Sequence, residues 1–572
     1  MLFLTIDSKI RFRLTPDIRQ TEPQFVQAIR DDMLVDNPEY AEAVNYNRYA
    51  GNIPEHIVLW EYDALTGTLA VPRGYGKALA ALLKSFRISW DAVDERVTLD
   101  RLEFGSKVVL RDYQVPAVEA AIKATGGVLQ APAGSGKTEV GLEIIARLQQ
   151  PALWLTHTKD LANQAAERAC KVLGLEWPEI GLIGDGVFRV GERLTIGIIQ
   201  TLTRIPGDEM AELGRQFGTV VLDECHHGSA PTWISVMQQL PARYRFGVTA
   251  TPERADGLEV ITERVIGPTF YTVSRAAVSD RLMVPALQVI NTGVESEAWK
   301  AHEERMKEYQ KRVTEIRASH EERVTKLGAE YEERVETLMG DCRLLTPNRI
   351  IECERQAAEL RAECQDRVVK LQKEAKKAEP KPPLMPFGAI LDELLTNQER
   401  NQLIVETLLK ECPGHYTLVL SKRVEHCLGL AHLLSKTALD RGITSRLRTI
   451  TPRLRTSVVH GSLAKKVREN ILELTRAGKV DVLFAVEIGK EGLDIPRLDR
   501  LFLVGGGRNE AETEQKVGRI QRIFPDKTPP VVFDFVDELI PPLRAQHWAR
   551  RKVYRRLGMP STGSGLKRRG QS

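Results

Sequence analysis

The sequence predicts an α/β protein: two tandem parallel-sheet domains, an α+β accessory domain ahead of them and an antiparallel, coiled-coil-like helical hairpin inserted between them. Three observations carry this. Short β-branched runs, apolar throughout, alternate with helical stretches in two series, within 106–290 and 386–540; such runs suit strands buried on both faces of a parallel sheet. Between the series, residues 297–378 turn to Glu, Arg, Lys and Ala around a narrow apolar stripe. Composition excludes other classes: 42% hydrophobic residues and a net charge of +4, from 81 Lys and Arg against 77 Asp and Glu, rule out a mainly disordered or collagen-like chain and a uniformly basic coat. A polyanion must then be held by local patches and backbone amides.

Residues 1–105 form the accessory domain, where 57–63 and 65–74 read as two strands around a Thr66-Gly67 turn. No site stands out there. The first series (106–290) places strands at 127–130, 152–156, 195–199, 219–222 and 246–249; the second (386–540) places them at 417–420, 457–459, 480–484, 501–504 and 531–535.

The linker, 291–385, holds the arm. Apolar or small residues recur at 306, 309, 313, 316, 320 (a histidine), 324, 327, 331, 335, 338 and 342, the 3.6 period of a straight α-helix. A second set, at 350, 353, 357, 360, 364, 368 and 371, follows a break with Thr346 as N-cap and Pro347 as first helical residue. Two helices packed on each other, roughly 45 to 65 Å long, satisfy one stripe and three charged faces. A protein-docking arm and a solvated spacer are both compatible with that pattern.

The seven cysteines include no C-x-x-C pair, which argues against zinc and iron–sulfur clusters. Cys342, Cys353 and Cys364, spaced by three helical turns, read as small apolar residues on one face. No window approaches 18 consecutive apolar residues, and Asp7 stops the opening apolar run before it could act as a signal. The expectation is a cytoplasmic protein, prokaryotic or phage-encoded, without a membrane partner.

The chemistry concentrates in a few motifs. Ala131-Pro132-Ala133-Gly134-Ser135-Gly136-Lys137-Thr138 follows a strand and opens a helix. Glycines let backbone amides approach phosphate oxygens, the helix N-terminus adds positive potential, Lys137 reaches the β- and γ-phosphates, and the Thr138 hydroxyl suits Mg²⁺. Further on, Asp223 and Glu224 end an apolar run, where open α/β sheets bind ligands. Asp223 is the natural partner for Mg²⁺, and Glu224 is placed to deprotonate an attacking water. Alone, two such acids are equally compatible with capping the next helix; beside a phosphate loop the catalytic reading prevails.

At this point the chain, from 106 to 540 apart from the arm, resembles the superfamily 2 helicases and translocases of the DExH type, and within them the XPB-like or phage recombination (UvsW-like) DNA helicases. The resemblance implies two RecA-like domains, ATP with Mg²⁺ as cofactors, and DNA as partner. It implies that Arg111 and Gln114, in Leu110-Arg111-Asp112-Tyr113-Gln114, contact the nucleotide, the glutamine reading adenine; that His226 completes the acidic motif; and that Thr158, Lys159, Gln200 and Thr201 touch the nucleic-acid strand. Thr249 and Thr251, in Thr249-Ala250-Thr251-Pro252-Glu253-Arg254-Ala255-Asp256-Gly257, would link hydrolysis to strand movement. In the second domain Lys422, Arg423 and His460 resemble strand contacts. Gly492 and Asp494, in Glu491-Gly492-Leu493-Asp494-Ile495-Pro496, resemble the segment touching nucleotide and strand. Gln515, Arg519 and Arg522 match Q-x-x-G-R-x-x-R, whose arginines act on the γ-phosphate. One departure is Val486, where relatives often carry threonine; one hydroxyl contact to the strand is thereby put in doubt.

Phosphate loop on one domain and arginines on another make a motor: nucleotide closes the cleft and hydrolysis opens it. Residues 541–572 carry nine Lys or Arg and no acid, with Trp548 and Tyr554 interleaved, a pattern suited to phosphate contacts and stacking or to a solvated tail. The expected function is an ATP-dependent DNA helicase or translocase on forked or branched DNA, in repair, recombination or phage-related defence. Alternatives are a duplex translocase that does not unwind and, from another class, an ATP-gated protein-binding scaffold.

Overall fold

The structure, a computed structural model, describes residues 1–15, 23–38, 40, 53–132, 134–225, 230–250, 259–341, 347–441, 454–486 and 495–560. Glu295–Asn397 belong to one compact unit; the described residues of 1–42, 50–294 and 398–572 form the other.

In the larger unit the apolar runs become strands with little adjustment. Ala152–Thr156, Leu194–Ile198, Thr219–Asp223, Thr417–Ser421 and Val482–Val486 are buried at every position, as helix-covered parallel strands must be. The first sheet has eight strands in the order Val187–Arg189, Ile180–Gly184, Leu194–Ile198, Ala152–Thr156, Thr219–Asp223, Tyr244–Thr249, Gly126–Gln130 and Thr269–Thr272. Only the Val187–Arg189 edge pairs antiparallel, through a hairpin turning at Asp185 and Gly186, both at positive φ. The second sheet is parallel throughout, in the order Ala286–Asn291, Val531–Val536, Arg500–Leu503, Thr417–Ser421, Val482–Val486 and Thr456–Val459. These are the two RecA-like lobes of an α/β fold.

Two placements around the second sheet differ from the sequence reading. Ala286–Asn291, placed at the end of the first domain, adds an edge to the second sheet against Val531–Val536. Residues from 541, read as a basic tail, begin with the helix Pro541–Arg556, whose Leu543, His547, Arg550, Val553 and Tyr554 are buried. Asp534, fully buried in the Val531–Val536 strand, explains it. Tyr554 donates to Asp534 (3.0 Å), Arg550 donates to both its oxygens (2.7 and 3.1 Å), and His547 Nδ1 lies 3.0 Å away. Burial opposes the charge on Asp534, yet Arg550 and His547 outweigh it and hold its pKa below the usual carboxylate value. Tyr554 is therefore a core residue and not a stacking platform; residues 561–572 lie outside the described residues.

The N-terminal α+β region is a five-stranded sheet, Glu61–Asp63, Thr68–Pro72, Lys9–Arg13, Leu2–Ile6 and Trp90–Asp94, covered by helices Pro23–Asp32 and Gly76–Ser85. Its hairpin turns at Gly67 (φ 70°), whose amide donates to Asp63 O at 2.8 Å. The run 57–63 is broken, because His56–Val58 pairs instead with Leu34–Asp36. The region shares a core with the first lobe. Arg73 donates to the Ala242 carbonyl at 2.6 Å, and buried Arg245 donates to Ser8 O at 3.0 Å and Leu240 O at 2.7 Å.

In the smaller unit, helices Glu297–Asp341 and Pro347–Ala378 form the expected hairpin, about 67 and 48 Å long at 1.5 Å per residue. Cross-pairs Arg317–Glu379 (2.7 Å), Tyr331–Glu363 (2.8 Å) and Glu332–Arg361 (3.5 Å) run in opposite directions, so the helices are antiparallel. From 306 to 338 every stripe position is withdrawn from solvent; Val313, Tyr331 and Val335, and Ala357 on the second helix, are buried outright. Thr346 and Cys342 lie outside the described residues. Cys353 is disulfide-bonded, where its spacing reads as a small apolar residue on one helical face.

Candidate active site

The strand Gly126–Gln130 delivers the phosphate loop to the helix Lys137–Leu148. Gly134 and Gly136 adopt φ of 80° and 81°, where L-residues are strained. A Cβ on Gly136 would sit 2.5 Å from Gln114 Nε2, so the loop is closely braced. That brace is specific: Gln114 Nε2 donates to Ser135 O at 2.9 Å, its Oε1 accepts from the Arg111 amide at 3.0 Å, and Tyr113 donates to Ser135 O at 3.1 Å. Gln114, expected at adenine, here spends both ends of its amide on the backbone. Tyr113, beside it in the same motif, was not singled out from sequence.

Lys137 Nζ lies 3.2 Å from Glu224 Oε1, both side chains largely buried. Glu224 follows the strand Thr219–Asp223 with φ of 46°, a left-handed backbone that costs of order 1–3 kcal/mol and turns its carboxylate toward the loop. Asp223 Oδ1 accepts from the Glu224 amide at 3.0 Å. Thr249 ends the adjacent strand, its carbonyl accepting from Ala131 N at 2.9 Å, so the strand end at Thr249 lies beside the start of the phosphate loop.

The residues fit a nucleotide with Mg²⁺. Ser135 Oγ is buried with no hydrogen-bond partner inside the loop, and the loop glycines leave a cradle that a Cβ would fill. Thr138 and Asp223 line a cavity of about 820 Å³ that also touches His460, Val486 and Pro496 of the second lobe.

The second lobe approaches through the helix Glu510–Gly518, which carries Gln515 and ends at Arg519. Arg522 is mostly buried; burial first, then the Arg168 guanidinium, lowers its pKa, while Glu139 opposes. Glu139 is in the first turn of the phosphate-loop helix and pairs with Arg168 at 3.0 Å, so Arg522 sits in the field of the loop's own helix. Leu282 bridges to Arg522 in the backbone and packs against the phosphate loop, 3.1 Å from where a Gly134 Cβ would stand. A further cross-lobe pair, Arg275 to Glu514 at 3.5 Å, was not legible in the sequence.

The expected strand contacts are dispersed over the ends of strands. Thr158 caps the helix Lys159–Leu173 by accepting from Leu161 N (3.3 Å), and Lys159 forms an ion pair with Asp185. Gln200 and Thr201 occupy the short helix Ile199–Leu202; Lys422 and Arg423 follow the strand Thr417–Ser421. His460 Nδ1 lies 3.1 Å from Ser462 Oγ at the cavity edge. His226, Thr251, Gly492 and Asp494 lie outside the described residues.

Two RecA-like lobes sharing one cleft, with a phosphate loop on one and an arginine-bearing helix on the other, define the class as a two-lobed ATP hydrolase. A family described as "Type III restriction enzyme, res subunit" matches residues 107–254, and "Helicase conserved C-terminal domain" matches 399–524. The chain is 26% identical to a DNA 3'-5' translocase XPB2 of Sulfurisphaera tokodaii over 75% of this chain and 83% of that protein. It is 32% identical to a DNA 3'-5' helicase XPB of Kineococcus radiotolerans over 36% of this chain and 37% of that protein. The crystal structure of T4 UvsW aligns at 15% identity and a TM-score of 0.37 over 98% of each chain. Both matched regions and the named relatives are those of superfamily 2 helicases, and the chain is an ATP-hydrolysing enzyme. Among the described residues no helix is long and apolar enough to cross a membrane.

Proposed function

We propose that this protein is a DNA translocase, moving 3′ to 5′ on forked or branched DNA inside the cell, in repair, recombination or phage-related defence. The observation that carries the motor reading is that Arg522 is bridged in the backbone to Leu282, which packs against Gly134 of the phosphate loop. A nucleotide seated on Lys137 then lies between the lobes, and its γ-phosphate charge is the element that differs before and after hydrolysis. DNA as the track rests on the names of the XPB relatives.

In this reading Lys137 holds the phosphates, Thr138 and Asp223 would hold Mg²⁺, and Glu224 accepts the proton of the attacking water. Mg²⁺, when bound, neutralises developing charge on the phosphate oxygens. Arg519 and Arg522 place positive charge where the transition state is negative, worth roughly 10³ to 10⁵ in rate for a finger. Thr158, Lys159, Gln200, Thr201, Lys422, Arg423 and His460 grip the strand, and the helical hairpin docks a protein partner. The test is ATP turnover with and without forked DNA for Lys137→Ala. Near-complete loss of stimulated turnover is expected; wild-type turnover overturns the reading.

Movement on duplex without unwinding would use the same site. Displacement from forked DNA, compared with displacement of a triplex-forming third strand from blunt duplex, separates the two.

A further inference from the structure

Lys527 follows the Q-x-x-G-R-x-x-R segment by five residues and belongs to none of the motifs above. Its ammonium donates to Ile520 O at 2.8 Å, Arg522 O at 2.7 Å and Pro496 O at 2.9 Å, using all three of its donors on backbone carbonyls. The carbonyls it skips are as informative as those it takes. Gln521, between Ile520 and Arg522, turns its carbonyl the other way, to accept from Met283 N at 2.7 Å. Met283 follows Leu282, the residue packed on the phosphate loop. The stretch 520–522 is therefore held on one side by Lys527 and on the other by a segment touching the loop.

Pro496 ends the second segment expected to meet nucleotide and strand, and it is tied to the same corner again by Arg497, whose guanidinium lies over the rings of Tyr416 (4.8 Å) and Phe524 (5.0 Å). We propose that Lys527 is a positioning residue for ATP hydrolysis: its ammonium locks the arginine-bearing segment 519–522 to Pro496, so that the fingers and the chain at Pro496 move as one body. The inference rests on the finger role proposed for Arg519 and Arg522. A cation is the group the site calls for, since three converging carbonyls leave each other's lone pairs without donors once it is removed. Burial draws the Lys527 pKa down to about 8 against the pull of Asp499, so the ammonium form still predominates at pH 7.

The test uses the full chain with DNA. Lys527→Met keeps the stem and removes the donors. A displacement on the order of 1 Å at a reacting group costs about a hundredfold, so kcat for DNA-stimulated ATP hydrolysis should fall about 10- to 100-fold. The KM for ATP should stay within about twofold, because the phosphate loop is untouched, and amide hydrogen exchange should quicken at 495–498 and 518–523 alone. Lys527→Arg, which keeps charge and donors, should recover most of the loss. Wild-type kcat in Lys527→Met overturns the proposal, as does a loss shared equally by KM and by exchange across the whole lobe. Lys527→Gln, with one donor pair left, serves if the Met variant does not fold; about a threefold loss of kcat alone supports the proposal and none overturns it. Arg522→Ala measured alongside separates the premises: full turnover there sinks the finger role, whereas its loss with Lys527→Met unimpaired sinks only the present inference.

Discussion

Lys137 Nζ and Glu224 Oε1 stand 3.2 Å apart, an ion pair between the residue expected to bind phosphate and the one expected to activate water. Each group neutralises the other, and a bound γ-phosphate has to take the lysine away from the carboxylate. Glu224→Gln should therefore lower kcat by about 10² or more as the base is lost, while ATP binds at least as tightly as before because the competitor for Lys137 is gone. Equilibrium binding of a fluorescent ATP analogue, beside turnover, checks both halves. Weaker binding in the variant would contradict the competition.

Arg275 and Glu514 join the lobes, and Glu514 also accepts from Arg556 at 2.9 Å. Burial lowers the Arg275 pKa against the pull of Glu514, with Arg556 adding to the lowering. A double-mutant cycle of Arg275→Ala and Glu514→Gln, followed by chemical unfolding, should show a coupling of about 0.5–1 kcal/mol that shrinks in high salt. Strict additivity would mean that the pair does not hold the lobes together.

Arg550 and Arg555, five residues apart on one helix, have opposite fates. Arg550 is 4% exposed on Asp534 and Arg555 is exposed. Arg550→Ala leaves a buried carboxylate short of its main partner and should cost about 3 kcal/mol in unfolding free energy, whereas Arg555→Ala should stay within about 0.5 kcal/mol. Weakened DNA binding at unchanged stability in Arg550→Ala would restore the tail reading of this segment.

His426 lies between Ser421 Oγ (2.8 Å) and Asn401 Oδ1 (2.9 Å), and burial first, then Arg400, lowers its pKa to about 3. Below about pH 6.5 the unfolded chain takes up a proton on this ring that the fold refuses, so stability falls as pH drops from about 6.5 toward 3. The contribution is at most about 1.4 kcal/mol per pH unit. His426→Gln should lose that component, seen as a shallower fall of unfolding free energy between pH 6 and 4 than in the wild type. Parallel curves would show that the ring is not neutral in the fold.

Local patterns made much of this protein legible. Uninterrupted apolar runs such as Ala152–Thr156 and Thr417–Ser421 are strands because only a sheet covered on both faces buries every residue. The stripe from 306 to 338 became a hairpin interface because 3.6-residue spacing places those residues on one side of a helix. The loop ending in Lys137 and Thr138 is legible from its own glycines and the helix behind it, whereas its brace by Gln114 and Tyr113 is a matter of tertiary contact. What sequence spacing did not reveal depends on groups far apart in the chain. Ala286–Asn291 reads as the tail of one domain and pairs as the edge of the other. Tyr554 and Arg550 read as a basic surface run and fold onto Asp534.

The sequence by itself determined the periodicities, and through them which segments are strands, helices and phosphate loop, because those depend on neighbours a few residues away. Only the tertiary structure decided that Glu224 faces Lys137, that Arg522 meets the field of Glu139 and that Lys527 gathers the carbonyls of 496, 520 and 522. Charge attraction and carbonyl coordination act over a few ångströms of space whatever the separation along the chain, so no local pattern records them.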